Sequence, residues 1–230
     1  MTASLFDDPP QPVERIAIDD GAWLLRGWAL AAQAQWLAAV QQVLAAQPFR
    51  SSLTPGGRPL SVRMSNCGDW GWVTDRAGYR YSATNPDTGL PWPAMPAFLR
   101  QQAVDAALAA GYPAYAPDAC LVNQYLPGAR MGLHRDEDEE DWQAPIVSVS
   151  LGLPCMFLWG GLERSQPVRR LTLLHGDVLV WGGATRMAYH GVQPLQAGQH
   201  ALLGAERWNL TFRMARTALA GGLPRCKSAQ

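Results

Sequence analysis

Lysine is almost absent from this chain: Lys227 stands alone against eighteen arginines, a bias of composition rather than a signature of phosphate recognition. Cysteine is sparse and scattered. Cys67, Cys120, Cys155 and Cys226 form no CxxC pair, so a local zinc or redox loop is excluded and free thiols in a reducing compartment are expected. No apolar run is long enough to span a bilayer. The opening residues MTASLFDDPPQP hold neither a basic segment nor an apolar core, so they do not read as a secretory signal. The expectation is a soluble, cytoplasmic protein with no membrane partner. No repeat of the solenoid or propeller kind is present. Net charge is lacking too, with 19 basic and 19 acidic residues. That neutrality hides an arrangement: six acids form one run, Asp136 to Asp141 (DEDEED), which leaves the rest of the chain basic. A positive excess of that kind suits a polyanionic partner.

At 230 residues, 48% hydrophobic and 17% charged, the chain can bury a sizeable core within one domain. Residues 30 to 46 carry Leu30, Trp36, Leu37, Val40, Val43 and Leu44 near one helical face. An Ala-rich second helix is expected over 96 to 110, with Gly111 as its cap. From residue 119 the pattern turns to short strands: ACLVNQYL, ARMGLHR, IVSVSLG, CMFLW, VRRLTLL, DVLVWGG and RWNLTFR, punctuated by Pro and Gly turns. Helices followed by many short strands predict an α+β, mainly β fold: an antiparallel jelly roll braced by helices, with a mouth that can host a metal. The expected domain spans 1 to 218, and 219 to 230 reads as a disordered tail.

The triplet HRD, His134 to Asp136, with a distant His190, supplies two imidazoles and one carboxylate. That is the ligand set of the facial triad that holds non-haem Fe(II) with positions left open. If residues 130 to 136 form a strand, His134 and Asp136 share one face and Arg135 points away. The plain alternative is a chance triplet beside an acidic turn. RWNLTFR, 207 to 213, alternates as a strand, placing Arg207, Asn209, Thr211 and Arg213 on one face and Trp208, Leu210 and Phe212 on the other. Arginine meets a carboxylate by a planar two-point contact that lysine cannot reproduce. A dicarboxylate such as 2-oxoglutarate needs a metal at its keto-acid end and a cation at the other, and HxD, His and Arg in that order supply both.

The segment 49 to 81 differs in kind. Arg50, Arg58, Arg63, Arg76 and Arg80 interleave with Trp70, Trp72, Tyr79 and Tyr81, which reads as a nucleotide lid or, alternatively, as a β-hairpin whose aromatics are core. In the acidic run, Glu137, Glu139, Glu140 and Asp141 read as a solvated turn. Asp138, two residues beyond Asp136, reads as a cavity carboxylate that would accept an exocyclic amino group and favour a cationic, ring-methylated base. His175 and His200 read as a turn residue and a surface residue.

With those motifs in place, the chain resembles the bacterial type of the AlkB family of Fe(II)- and 2-oxoglutarate-dependent nucleic-acid dealkylases. The resemblance runs through TPGGRPLSVRMSNCGDWGW, YRYS, PWPAMP, GYPAYAPDACLVNQY, PGARMGLHRDEDE, APIVSVSLGLP, GGLERSQP, HGDVLVWGG, YHGVQPL and RWNLTFR. It implies a double-stranded β-helix core over about 118 to 214 and a nucleotide-recognition lid over about 49 to 81. It implies iron on His134, Asp136 and His190 as the oxidising centre, and 2-oxoglutarate on Asn123, Tyr125, Arg207, Asn209 and Arg213, with O2 as second co-substrate. Substrate contacts are implied for Met64, Trp72, Tyr79, Arg80, Tyr81, Asp138 and Arg164, and Trp181 is implied behind the iron. Arg58, Gln124 and Met131 depart from the family's pattern. The implied activity is oxidative demethylation of 1-methyladenine and 3-methylcytosine type bases in single-stranded or duplex DNA, or in RNA, by a monomer. Two alternatives are a 2-oxoglutarate hydroxylase acting on a protein or small molecule and a zinc- or manganese-loaded cupin-like hydrolase. A non-catalytic nucleic-acid-binding module would have no use for the triad.

Overall fold

The computed structural model describes residues 14 to 216, so the tail expected over 219 to 230 lies outside the described residues. The described residues open with a hairpin of β1 (Glu14–Asp19) and β2 (Ala22–Arg26), followed by helix α1 (Gln33–Ala46). Four strands come next: β3 (Arg50–Leu53), β4 (Pro59–Gly68), β5 (Gly71–Asp75) and β6 (Gly78–Ser82). Helix α2 (Ala97–Ala109) separates them from β7 (Ala119–Tyr125), β8 (Met131–His134), β9 (Ile146–Gly152) and β10 (Cys155–Trp159). The last four strands are β11 (Arg169–Leu173), β12 (Val178–Trp181), β13 (His190–Val192) and β14 (Arg207–Arg213).

Both helices form where the apolar spacing calls for them. In α1, Trp36, Ala39, Val40 and Val43 are buried at i, i+3, i+4 and i+7; in α2, Leu99, Ala103, Ala106 and Ala107 are buried at i, i+4, i+7 and i+8. Gly111 ends α2 with a φ of 96°, while Tyr112 N–H donates back to the Ala107 carbonyl at 2.9 Å, the C-cap that a left-handed residue permits. Trp36 is fully buried, edge-on to Phe98 and Phe212 at 5.5 and 6.3 Å, so its truncation to Ala would cost about 3–5 kcal/mol.

The strands assemble into an eight-stranded antiparallel sheet in the order β1-β2-β12-β9-β14-β7-β4-β3, a four-stranded sheet β11-β10-β13-β8, and the lone hairpin β5-β6. The fold is therefore α+β and mainly β, as expected, but the double-stranded β-helix or jelly roll is not formed: among the described residues no sheet closes or curls on itself. The reason lies in the edges. Strands β2 and β4 pair with β12 and β7 and so occupy the hydrogen-bonding edges that closure would need. Both come from segments outside the strand-rich half, and strands also precede the first helix rather than only following the second.

Alternation along the large sheet divides its two faces. Val122, Val147, Val149, Val178, Val180, Leu210 and Phe212 pack against the helices. Leu121, Tyr125, Ile146, Leu179 and Trp181 face the opposite way and meet Phe157, Trp159, Leu173 and Val192 of the small sheet. Buried on both sides, these strands read as near-continuous apolar runs. The layers are helices, large sheet and small sheet, and the polar row of β14 opens into the space between the sheets.

Candidate metal centre and substrate cavity

His134 ends β8 and His190 begins β13, and the two residues are direct cross-strand partners. Their rings lie 4.4 Å apart. Gly191 makes that approach possible: a Cβ there would sit 2.8 Å from the Met131 carbonyl oxygen and 3.1 Å from that of Gly132. Each imidazole lies with Nδ1 against a backbone carbonyl oxygen, His134 on Gly132 at 2.9 Å and His190 on Ala188 at 3.0 Å. Donation from Nδ1 fixes the tautomer that leaves the Nε2 lone pair free for a metal. The two Nε2 atoms stand 3.8 and 3.9 Å from the Asp136 carboxylate oxygens, and one ligand atom from each of the three residues falls within 4.8 Å of the others. Because β8 stops at His134, Asp136 is placed by a loop rather than by strand alternation. Arg135, expected to point away, instead lines the cavity rim, pairing with Glu137 at 2.7 Å and lying 5.6 Å from the ring of Tyr189.

Arg213 holds Asp136 from behind, its Nη2 donating to Oδ2 at 2.7 Å and its Nε at 3.1 Å. Burial works against the Asp136 carboxylate, yet Arg213 and the two imidazoles hold its carboxyl well below the usual carboxylate range. Burial, with His134 beside it, pushes His190 down to about 4, so this imidazole is neutral and ready to bind a cation at neutral pH. Trp181 closes the back of the centre, its ring edge-on to His190 at 5.0 Å. Two imidazoles and an ionised carboxylate, each with its other polar atom tied, fit a divalent cation of the Fe(II) or Zn(II) kind.

The centre opens into a cavity of about 350 Å³. Asn123, Tyr125, Asn209, Thr211 and Arg213 line one wall. The pairing of β7 with β14 sets Asn123 opposite Asn209 and Tyr125 opposite Arg207, so four of the residues expected to hold an acid co-substrate are two cross-strand pairs. Arg207 sits beyond the lining, 4.9 Å from the ring of Tyr125 and 1% exposed. Its Nη2 donates to Ser150 Oγ at 3.1 Å; Nε, Nη1 and the Oδ1 of Asn123 are buried without a hydrogen-bond partner among the described residues. Asn209 Nδ2 donates to Ser148 Oγ at 2.8 Å and to the Val149 carbonyl at 3.0 Å. Burial pushes the Tyr125 hydroxyl up to about 12, which keeps it a donor. The buried guanidinium donors of Arg207 left without an acceptor fit a small carboxylate.

Across the mouth lies the hairpin β5-β6. Trp72 stacks with Tyr79 at 5.6 Å and 18°, and donates from Nε1 to Asp138 Oδ2 at 2.8 Å. Met64, on β4 and fully buried, joins Trp72, Tyr79, Asp138 and Arg164 in the lining. Arg164 also donates to the Leu133 carbonyl at 2.8 Å. Arg80 and Tyr81 are not in the lining: Arg80 pairs with Asp75 at 2.8 Å on the hairpin's own turn, and Tyr81 is buried with its hydroxyl on Glu139 at 2.6 Å. Of the three departures from the family pattern, only Met131 lines the cavity. Gln124 bridges Arg63 and Glu206.

Sequence reasoning left three groups unnoticed. Glu139, taken as part of a solvated turn, is 6% exposed and sits between Arg186 and Arg213 at 3.0 and 3.2 Å. Arg186 was passed over because nothing local marks it. Tyr189, adjacent to His190, lines the rim between Arg135 and Arg164. His175 lies in the turn between β11 and β12, as expected, and also braces it: its Nδ1 accepts from Gly152 N–H at 2.9 Å, its Nε2 lies 3.0 Å from Gln33 Oε1, and its ring lies 4.5 Å from that of His200.

Residues 21–213 match the family profile described as the 2OG-Fe(II) oxygenase superfamily. The chain is 54% identical over 211 residues to the alpha-ketoglutarate-dependent dioxygenase AlkB of Escherichia coli (strain K12), covering 92% of this chain and 97% of that protein. It is 46% identical over 185 residues to the AlkB homolog of Caulobacter vibrioides, covering 79% of this chain and 82% of the other. The solved structure of OsALKBH1 superposes with a TM-score of 0.75 at 28% identity, covering 87% of this chain and 99% of that one.

Proposed function

The chain belongs to the 2OG-Fe(II) oxygenase superfamily, as a member of its AlkB family, and from that premise we propose that it demethylates N-alkylated bases of the 1-methyladenine and 3-methylcytosine type in DNA, preferring single strands. RNA carrying the same lesions presents the same base to the same cavity. The observation that carries this reading is the convergence of His134, Asp136 and His190 on the floor of a cavity whose walls hold buried carboxylate-binding groups and whose mouth is an aromatic hairpin.

When bound there, Fe(II) with 2-oxoglutarate and O2 supplies an oxidation in which one oxygen atom enters succinate and the other the N-methyl carbon, with CO2 and then formaldehyde released. The protein's own groups do the rest. His134, Asp136 and His190 hold the metal, and Gly132, Ala188 and Arg213 keep them aimed. Arg207, with Asn123, Tyr125 and Asn209, takes the carboxylate of 2-oxoglutarate far from the metal, and Arg213 serves the end near it. Trp72 and Tyr79 offer ring faces to an extruded base, contacts worth about 1–3 kcal/mol each. Asp138, with one oxygen committed to Trp72, uses the other for the exocyclic amino group and favours the positive charge of a ring-methylated base. Met64 packs against that base, and Arg164 and the Arg80–Tyr81 backbone lie along the path of the strand. A methylated Watson–Crick edge has already lost its pairing, so extrusion costs less for the lesion than for an intact base, and a single strand avoids the cost.

Among the described residues no helix is long and apolar enough to cross a membrane. The residues act as a single dioxygenase domain in which 49 to 81 is the lid, and the labile ferrous site suits a monomer working in the reducing cytoplasm. The test is anaerobic loading with Fe(II), then addition of 2-oxoglutarate, oxygen and a single-stranded oligonucleotide containing 3-methylcytosine. Loss of the methyl group by mass is expected. Turnover of 2-oxoglutarate with the oligonucleotide unchanged would place the substrate elsewhere.

A further inference from the structure

The hairpin β5-β6 belongs to neither large sheet, and two side-chain donors tie it to the metal-bearing loop. Trp72 and Tyr81 are direct cross-strand partners, so they project from one face of the hairpin. They land on consecutive acids: Trp72 Nε1 on Asp138 at 2.8 Å and Tyr81 Oη on Glu139 at 2.6 Å. Asp138 faces the cavity, whereas Glu139 faces away from it into a buried cluster. There its carboxylate meets Arg186 Nη2 at 3.0 Å and Arg213 Nε at 3.2 Å, with both Glu139 and Arg186 side chains 2% exposed. The remaining nitrogens of Arg186 donate to the Asp136 and Ala144 carbonyls at 2.8 and 3.0 Å, which pins the loop between them. Arg213 divides Nε and Nη2 between Asp136 and Glu139.

We propose that Glu139 is a positioning residue through which the hairpin, by way of Tyr81, sets the orientation of Arg213, so that a nucleic-acid base and 2-oxoglutarate bind cooperatively. The coupling rests on the demethylase reading above and deepens it. A base that docks on Trp72 and Asp138 braces the hairpin further, and the braced hairpin keeps Tyr81 on Glu139. Glu139 then holds the guanidinium that serves the co-substrate. Linkage makes the effect reciprocal, so 2-oxoglutarate tightens the oligonucleotide by the same factor. A cluster of two acids and two arginines, buried and mutually bonded, is stiff enough to carry such a bias, since each group loses a charged partner if one shifts.

The experiment reads binding rather than turnover: calorimetric titration of the Mn(II)-loaded enzyme with 2-oxoglutarate, with and without a single-stranded oligonucleotide containing 3-methylcytosine. The oligonucleotide is expected to lower the Kd for 2-oxoglutarate by about fivefold or more. In Tyr81→Phe, which keeps the ring and loses the hydroxyl, both ligands still bind but that ratio falls to near one. In Glu139→Gln, 2-oxoglutarate binds several-fold more weakly on its own and the ratio again collapses. A purely structural role for Tyr81 and Glu139 would lower the melting temperature and leave the ratio at its wild-type value, which would overturn the proposal, as would a wild-type ratio of one. Failure of the oligonucleotide to bind while 2-oxoglutarate still does would refute the nucleic-acid reading itself, and the coupling with it.

Discussion

Arg207→Met is expected to make the ligand-free protein more stable while destroying its affinity for 2-oxoglutarate. Arg207 is 1% exposed and, among the described residues, has no carboxylate partner and no hydrogen-bond acceptor for Nε and Nη1. A buried donor left unsatisfied costs about 1–3 kcal/mol, more when it is charged, and the single bond to Ser150 Oγ at 3.1 Å returns only about 1–2 kcal/mol. Methionine is unbranched and of similar length, so it fills the space beside the Tyr125 ring without the stranded donors. The net gain is about 2–4 kcal/mol, comparable to replacing other buried ionic groups by apolar ones. For a chain of this size that corresponds to a rise in Tm of about 5–10 °C. Truncating a buried, charge-bonded partner weakens binding by about 2–5 kcal/mol, so the Kd for 2-oxoglutarate should rise about 30-fold at least. Thermal unfolding with and without 2-oxoglutarate reads both effects together. The wild type should gain about 2.7 kcal/mol at a hundredfold excess over Kd, and the variant should gain no more than about 1 kcal/mol at that concentration. A variant that melts lower than wild type yet keeps the ligand-induced rise would refute the assignment of Arg207 as a buried cation awaiting an acid.

Three further outcomes are expected. Gly191→Ala brings a Cβ against the Met131 and Gly132 carbonyls, forces β13 from β8, and should weaken Mn(II) binding about tenfold or more in a competition titration; unchanged affinity would mean that this close approach does not set the two imidazoles. Because burial holds His190 at about 4 against an ordinary 6.5, the unfolded chain binds more protons between those values. The metal-free protein should therefore hold this contribution fully above about pH 6.5 and lose up to about 3 kcal/mol as the pH falls to 4; urea unfolding that gives a flat profile over that range would rule it out. Asp138→Asn should leave 2-oxoglutarate binding intact and cut the preference for cationic over neutral methylated bases, and equal rates on both classes in wild type and variant alike would remove charge from the account of base selection.

Much of the site is legible in the residues because its chemistry is carried by residue type and short-range period. Two histidines and an aspartate are a ligand set whatever the fold, and the bounds of β14 coincide with the alternating run RWNLTFR. What could not be read depends on partners far away in the chain. Glu139 lies in an acidic run that looks solvated, and only Arg186, Arg213 and Tyr81, from three other elements, make it buried. Closure of the strands into a roll looked natural from their number, but β1, β2, β3 and β4 extend the large sheet at both edges, and no local pattern announces that β2 will lie beside β12. Tyr81 has the same limit. Alternation in GYRYS gives its face on the hairpin, not whether that face meets a base or an acid.

The most direct test of the account is the stoichiometry of one reaction: wild-type protein with Fe(II), 2-oxoglutarate, oxygen and a single-stranded oligonucleotide bearing one 3-methylcytosine, with formaldehyde, succinate and repaired base counted together. Equal amounts of all three are expected, falling to background in Asp136→Ala. Succinate formed without formaldehyde, or repair that survives Asp136→Ala, would contradict the assignment of His134, Asp136 and His190 as the centre that removes the methyl group.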